Sequence, residues 1–131
     1  MLTKILREKL PNKVIESYYG GISAEDRRDI KNRFVAKEVD IFIGNTQTGA
    51  LGLNLQVSHI VYYFSNDFSL ERREQSEDRI HRPGQEHVCV YKDLIIKGTV
   101  DEKIYKILKE KKKLLNYFRD NNITDLINNK E

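Results

Sequence analysis

Residues 75–85 read Gln75-Ser-Glu-Asp-Arg79-Ile-His-Arg82-Pro-Gly-Gln85. On a helix, Gln75, Arg79 and Arg82 fall at i, i+4 and i+7, which puts all three on one face. Such a stripe offers one amide and two guanidiniums to a single ligand. Guanidinium forks match phosphate oxygens and stay charged at any working pH. The same spacing also suits a solvated helix whose arginines pair with Glu71, Glu74 and Asp78. Ser69 is a good cap for this helix, and Arg82-Pro83-Gly84 ends it.

Upstream lies Gly44-Asn-Thr-Gln-Thr-Gly-Ala-Leu-Gly-Leu-Asn-Leu55, which holds three of the seven glycines. It follows the strand pattern Val39–Ile43. Ligands commonly sit at the carboxyl ends of parallel strands. Small residues there let backbone N–H groups approach a phosphate, and threonines add hydroxyls. An ordinary turn has the same composition, and no Gly-Lys-Ser/Thr follows to make it a Walker A loop.

Around these two segments, strand and helix alternate. Leu2, Ile5, Leu6 and Leu10 recur at helical spacing until Pro11. Val14–Tyr19 reads as a strand ended by Gly20-Gly21. Ser23 caps a helix to about Ala36, with Asp26 three residues on. Ile60–Phe64, apolar on both faces, reads as a buried parallel strand. Val88–Tyr91 with Leu94–Ile96 reads as a fourth strand. Thr99 and Glu102 form a capping box for a last helix whose apolar stripe is Ile104, Ile107, Leu108, Leu115 and Phe118. Tyr18, Tyr19, Tyr62 and Tyr63 are assigned to the core. This alternation predicts one α/β domain with a mainly parallel sheet.

Composition bounds the function without naming it. The chain has 131 residues, and 23 Lys+Arg against 20 Asp+Glu give a net charge of +3. That charge permits nucleic-acid binding and does not demand it. No apolar run is long enough to span a membrane, and no signal-peptide core stands at the start. The single cysteine, Cys89, forms no internal disulfide, which fits a reducing, cytoplasmic setting. Cys89 reads as a small buried hydrophobe. No metal-ligand spacing links His59, His81 and His87, so no metal site is expected.

Taken together, the segments resemble the second, carboxy-terminal RecA-like domain of superfamily-two helicases, of the Swi/Snf-like DNA translocase class and its phage and bacterial members. Thr46–Leu55 is similar to helicase motif V, and Gln75–Gln85 to motif VI. Tyr19-Gly-Gly-Ile-Ser-Ala-Glu-Asp-Arg27 resembles the strand–turn–helix block between motifs IV and V. Lys97–Tyr105 resembles the brace segment after motif VI. Three places depart from the family pattern: Ser65 replaces an acidic residue, Phe68-Ser69-Leu70 replaces Trp-Asn-Pro, and Pro83 replaces Ile.

The resemblance implies a three-layer RecA-like (P-loop NTPase-like) domain over residues 1–120, lacking its first strand. A brace helix would cover about 99–119, and 121–131 would be a frayed tail. It implies that Arg79 and Arg82 are arginine fingers reaching an ATP held by the amino-terminal RecA-like domain, which would also bring magnesium. Gln75, Gly52 and Asn54 would lie on the nucleotide side of the cleft. Asn45, Thr46, Thr48, Gly21 and Ser23 would contact the phosphates of DNA, largely without regard to base sequence. The chain contains neither a Walker A loop nor an Asp-Glu-x-His box. It is therefore expected to be part of a longer motor, inactive as an ATPase by itself and open to self-association. A non-catalytic binding module for nucleic acid or protein, or an inactive remnant, would use the same residues differently.

Overall fold

The computed structural model describes residues 1–45 and 53–120. Thr46, Thr48 and Gly52 lie outside the described residues, as does the tail expected at 121–131. The order of elements is α1 (Leu2–Lys9), β1 (Ile15–Tyr18), α2 (Ala24–Val35), β2 (Ile41–Gly44), β3 (Ile60–Tyr63), α3 (Leu70–Glu77), β4 (Val90–Asp93) and α4 (Val100–Asp120). The α/β architecture expected from the alternation is present. Its described strands form two two-stranded sheets, β1–β2 and β3–β4.

Local chemistry explains most of the boundaries. Leu10, which precedes Pro11, leaves the helical region at φ −128°, because a proline ring disfavours helix in the residue before it. Ser23 caps α2: its Oγ accepts from the Asp26 N–H at 3.0 Å and donates to the Asp26 carboxylate at 2.7 Å. At the other end Lys37 takes φ +61°, while the Glu38 N–H bonds the Arg33 carbonyl and the Lys37 N–H bonds that of Phe34. These are the two bonds of a Schellman ending, with lysine in the position glycine usually fills. The cap of α4 differs from the expected box: Thr99 Oγ1 accepts from the Asp101 N–H at 3.2 Å, and Glu102 is not the partner.

The chain divides into two compact units. One comprises Met1–Val61 with Glu74–Val90, and the other Tyr62–Arg73 with the stretch from Tyr91 onward. The first holds a parallel β1–α2–β2 unit in which Ile15 faces Ile41 and Tyr18 faces Gly44. A crossover helix is what a parallel pair requires. Tyr18, Ile30 and Leu53 form its core, with Ile22, Phe42 and Leu55 packed against them. Phe42 meets Tyr18 and Phe34 at ring separations of 5.5 and 4.8 Å, within the range of favourable aromatic pairs.

In the second unit, Arg73 is the centre of a polar cluster. Its guanidinium takes both carboxylate oxygens of Asp93, the second at 3.3 Å, and donates to Asn66 Oδ1 at 2.9 Å. Asn66 also donates to Asp93 at 2.8 Å, and the guanidinium lies 3.5 Å above the Tyr63 ring. Both charged side chains are largely buried, at 13% and 14% exposure. On α4, Ile104 and Leu108 are the buried residues.

Several expectations are corrected. The fourth strand is Val90–Asp93, and Leu94, Ile95 and Ile96 lie beyond it and exposed. β3 is not buried on both faces: Ile60 and Tyr62 are exposed while Tyr63 is buried. Alternation of side chains along a strand produces this difference; Tyr18 at the end of β1 is buried, and Tyr19, just past it, is exposed. Cys89 is only partly buried. Phe118, on the expected stripe of α4, is exposed.

Two aspartates tie acid stability to this local structure. Asp40 is held below the ordinary value of 3.8 by the Lys13 ammonium and the Val14 N–H. Asp67 is held below it by the Ser69 N–H and then by Arg72. A carboxyl whose folded pKa is depressed stabilises the fold above its unfolded value, and that contribution is lost as pH falls through the folded value. The urea midpoint should therefore hold steady from neutral pH to about pH 5 and fall below about pH 4. Asp67→Asn should reduce that acid-side slope; an unchanged slope would show that Asp67 does not contribute.

Candidate functional site

Every described residue of the expected site lies in the first unit. Gly21 and Ser23 stand at the turn from β1 into α2, and Asn45 directly follows β2. Gln75 lies on α3, whereas Arg79 and Arg82 lie in the turn beyond it. The predicted three-residue helical face is therefore not formed, because α3 ends at Glu77. The chain tightens there: the Ile80 and His81 N–H groups both bond the Glu77 carbonyl, and the Arg82 N–H bonds that of Ile80. Ile80, at 5% exposure, turns inward and carries its neighbours off the helical path.

Electrostatics distinguishes Arg79 from an ordinary surface arginine. Burial and then the positive charge of Arg82 hold its pKa below the ordinary arginine value, the mark of a cation that is partly desolvated and faces another cation. Among the described residues, neither arginine has a carboxylate within ion-pair distance. Arg82 Nε donates instead to the backbone carbonyl of Asp78 at 3.0 Å. The alternative of a charged surface paired to Glu71, Glu74 and Asp78 is not what forms. Two neighbouring guanidiniums with no acid between them favour a polyanion such as a phosphate chain.

Leu55, the last residue of the motif V stretch, and the residues after it are bound to this turn. The Leu55 N–H donates to the Arg79 carbonyl at 3.3 Å, and Gln56 Nε2 to the Pro83 carbonyl at 2.9 Å. Gln85 Nε2 reaches the carbonyls of Gln56 and Ser58, both at 3.0 Å, and of Ile80 at 3.2 Å, while its Oε1 accepts from the His87 N–H. Gly84 has φ +93°, and a Cβ there would lie 2.8 Å from Gln56 Nε2. The positive φ calls for glycine, and a side chain there would displace the Gln56 amide from its present place. Asn54 turns its Oδ1 onto the Gln56 N–H at 3.1 Å, a local Asx turn. Neither Gln85 nor Gln56 is singled out by sequence reasoning. Their roles depend on carbonyls distant in the chain, and only the glycine before Gln85 hints at a close approach.

The Gly21–Ser23 corner is less open to an anion. The Ser23 hydroxyl is engaged with its own helix, and Glu25 and Asp26 place negative charge in the first turn. Among the described residues, no three or more His, Cys, Asp or Glu side chains gather as a metal-ligand set.

Comparison with known proteins identifies the family. Residues 1–84 match the helicase conserved C-terminal domain. The Chromatin-remodeling ATPase INO80 of Mycosarcoma maydis is 38% identical over 97 residues, covering 72% of this chain and 5% of that protein. The TATA-binding protein-associated factor mot1 of Aspergillus fumigatus is 33% identical over 110 residues, covering 83% and 6%. The chain therefore spans about one-twentieth of the length of these curated relatives. The crystal structure of the C-terminal part of the Fun30 ATPase domain superposes with a TM-score of 0.71 at 28% identity, covering 80% of this chain and 34% of that one. The mouse INO80 protein is 35% identical over 97 residues, covering 72% and 6%. These fungal and mammalian relatives give no support to the phage or bacterial subtype expected from the sequence. The parallel β1–α2–β2 unit, the motif VI turn and these likenesses lead to one assignment: the chain belongs to the helicase conserved C-terminal domain family, as a carboxy-terminal superfamily-two lobe of Swi/Snf type.

Proposed function

We propose that this lobe serves an ATP-dependent DNA translocase by supplying Arg79 and Arg82 to a nucleotide held by an amino-terminal RecA-like domain. The observation that carries this reading is the partly desolvated Arg79 beside Arg82, with no carboxylate within ion-pair distance among the described residues. That pair fits the β- and γ-phosphates of ATP, whose transition-state charge arginine fingers stabilise. Nothing in the described residues offers a magnesium cage, so the ion would be held by the partner domain and the phosphates. When bound there, it would neutralise phosphate charge. Gln75, Gly52 and Asn54 are proposed for the nucleotide side. Asn45, Thr46 and Thr48 are proposed for the DNA backbone, where the end of β2 delivers small polar residues. Gly21 and Ser23 are the weakest members of that set, for the reasons of charge and capping given above. Relatives named for chromatin remodelling weigh against the cytoplasmic setting inferred from the single cysteine.

The 131-residue chain should show no ATP turnover by itself, with or without DNA, because fingers act in trans on a nucleotide bound elsewhere. Turnover should emerge on adding an amino-terminal lobe of the same class and should rise with DNA. Robust hydrolysis that follows the isolated chain through purification would refute the assignment. So would an active reconstituted enzyme that is indifferent to Arg79 and Arg82. DNA binding by that enzyme should weaken steeply with salt, as phosphate contacts require.

A further inference from the structure

We infer that Gln85 is a positioning residue that locks the Leu55–Ser58 segment to the Arg79–Arg82 turn, so that the two arginines and the chain emerging from motif V move as one piece. This deepens the proposed function and rests on it for its catalytic consequence, but not for its geometry.

The geometry is unusual for a glutamine. One carboxamide nitrogen lies within hydrogen-bond distance of three backbone carbonyls, from Gln56, Ser58 and Ile80. The two carbonyls at 56 and 58 belong to the segment after motif V, and the third belongs to the turn between the two arginines. The oxygen of the same amide accepts from the His87 N–H at 3.0 Å, which fixes which end of the amide points inward. The backbone of Gln85 is held as well, its N–H donating to the Arg82 carbonyl at 3.0 Å. Two further bonds run between the same segments, from the Leu55 N–H to the Arg79 carbonyl and from Gln56 Nε2 to the Pro83 carbonyl. Gly84, with no Cβ, leaves room for the Gln56 amide in this position.

Chemistry makes the glutamine hard to replace. The site needs an N–H donor for three carbonyls and an acceptor for one amide, on a side chain of this length. Glutamate presents acceptors to carbonyls, asparagine is one carbon short, and methionine keeps the shape and loses the bonds. The arginines themselves make no ion pair among the described residues, so the turn that carries them is set by backbone contacts and by this hub. A finger misplaced by about 1 Å can cost on the order of 10²-fold in rate.

The test has two arms. On the 131-residue chain, amide hydrogen exchange is compared between wild type, Gln85→Met and the milder Gln56→Ala. In Gln85→Met the Leu55 amide should exchange about tenfold faster or more, while the Ile41 amide of β2, bonded to the Val14 carbonyl, keeps its protection, the signature of local opening. Gln56→Ala, which loses one strap and keeps the hub, should loosen Leu55 less. An unchanged Leu55 amide in Gln85→Met overturns the inference, and so does uniform acceleration across the chain in both variants.

In an ATPase reconstituted with an amino-terminal lobe, Gln85→Met should lower kcat about 10- to 100-fold with the KM for ATP changed less than about threefold. Placed on Arg82→Ala, it should cause no further loss, since the two act through one turn. Equal losses in both backgrounds would mean Gln85 acts elsewhere, and would overturn the positioning role. Local opening at Leu55 in a protein whose reconstituted wild type never hydrolyses ATP would uphold the hub and refute the motor reading.

Discussion

Arg82→Ala in an ATPase carrying this lobe should reduce turnover by about 10³-fold or more, while ATP still binds. The magnitude follows from where the charge is needed. In phosphoryl transfer the protein contributes mainly position and electrostatic stabilisation, and an arginine finger contributes about 10³–10⁵ in rate. Arg82 sits in the turn past α3, exposed, with its Nε steadied by the Asp78 carbonyl. Its remaining donors have no partner among the described residues. Arg79 is more enclosed and has its pKa lowered by burial and by Arg82, so the pair already suffers mutual repulsion before any ligand arrives. A phosphate chain relieves that repulsion, and the relief grows as negative charge develops on the transferring group. Removing Arg82 should therefore act on kcat more than on ATP affinity. Single-turnover hydrolysis with a parallel ATP-binding titration checks this. Loss of ATP binding with normal single-turnover chemistry would show that Arg82 holds the ground state and is not a finger. Arg82→Lys should recover little, because an ammonium lacks the fork.

The second large effect concerns stability. Asp93→Ala should destabilise the fold by about 3 kcal/mol, at the low end of what breaking a buried ion pair costs. Arg73 would be left largely buried at 13% exposure, stacked on Tyr63 and bonded to Asn66, having lost the two oxygens of the Asp93 carboxylate. The penalty is that of a largely buried guanidinium deprived of this carboxylate, and a hydrophobic pair should avoid most of it. Arg73→Met with Asp93→Leu should accordingly lie closer to wild type than Asp93→Ala alone. Urea unfolding of wild type, Arg73→Met, Asp93→Leu and the double variant measures the coupling. Losses that simply add would show that Arg73 and Asp93 act independently.

These two predictions draw differently on the sequence. Arg82 is legible from the Asp-Arg-Ile-His-Arg string and its place after a helix former. Arg73 is not, because its partners Asn66, Asp93 and Tyr63 lie up to 20 residues away and nothing local marks them. Gln85 is similarly hidden: it is visible as a letter in the motif, but its three carbonyl partners come from other parts of the chain. The burial of Tyr18 and Tyr63 but not of Tyr19 and Tyr62 also needs the strand's orientation, which composition does not supply.

The sequence alone determined the succession of helices and strands, the Ser23 cap, the end of α1 before Pro11 and the family of the lobe. All of these rest on short-range physics, or on strings of residues read in order. Only the tertiary structure decided that α3 stops at Glu77, that Arg79 and Arg82 share a turn and not a helical face, and that Gln85 binds that turn to the segment after motif V. The reason is the same in each case. Burial of Ile80 and the demand of backbone carbonyls for donors are satisfied by residues far apart in the chain. That long-range satisfaction overrides the helical period which residues 75–82 display on their own.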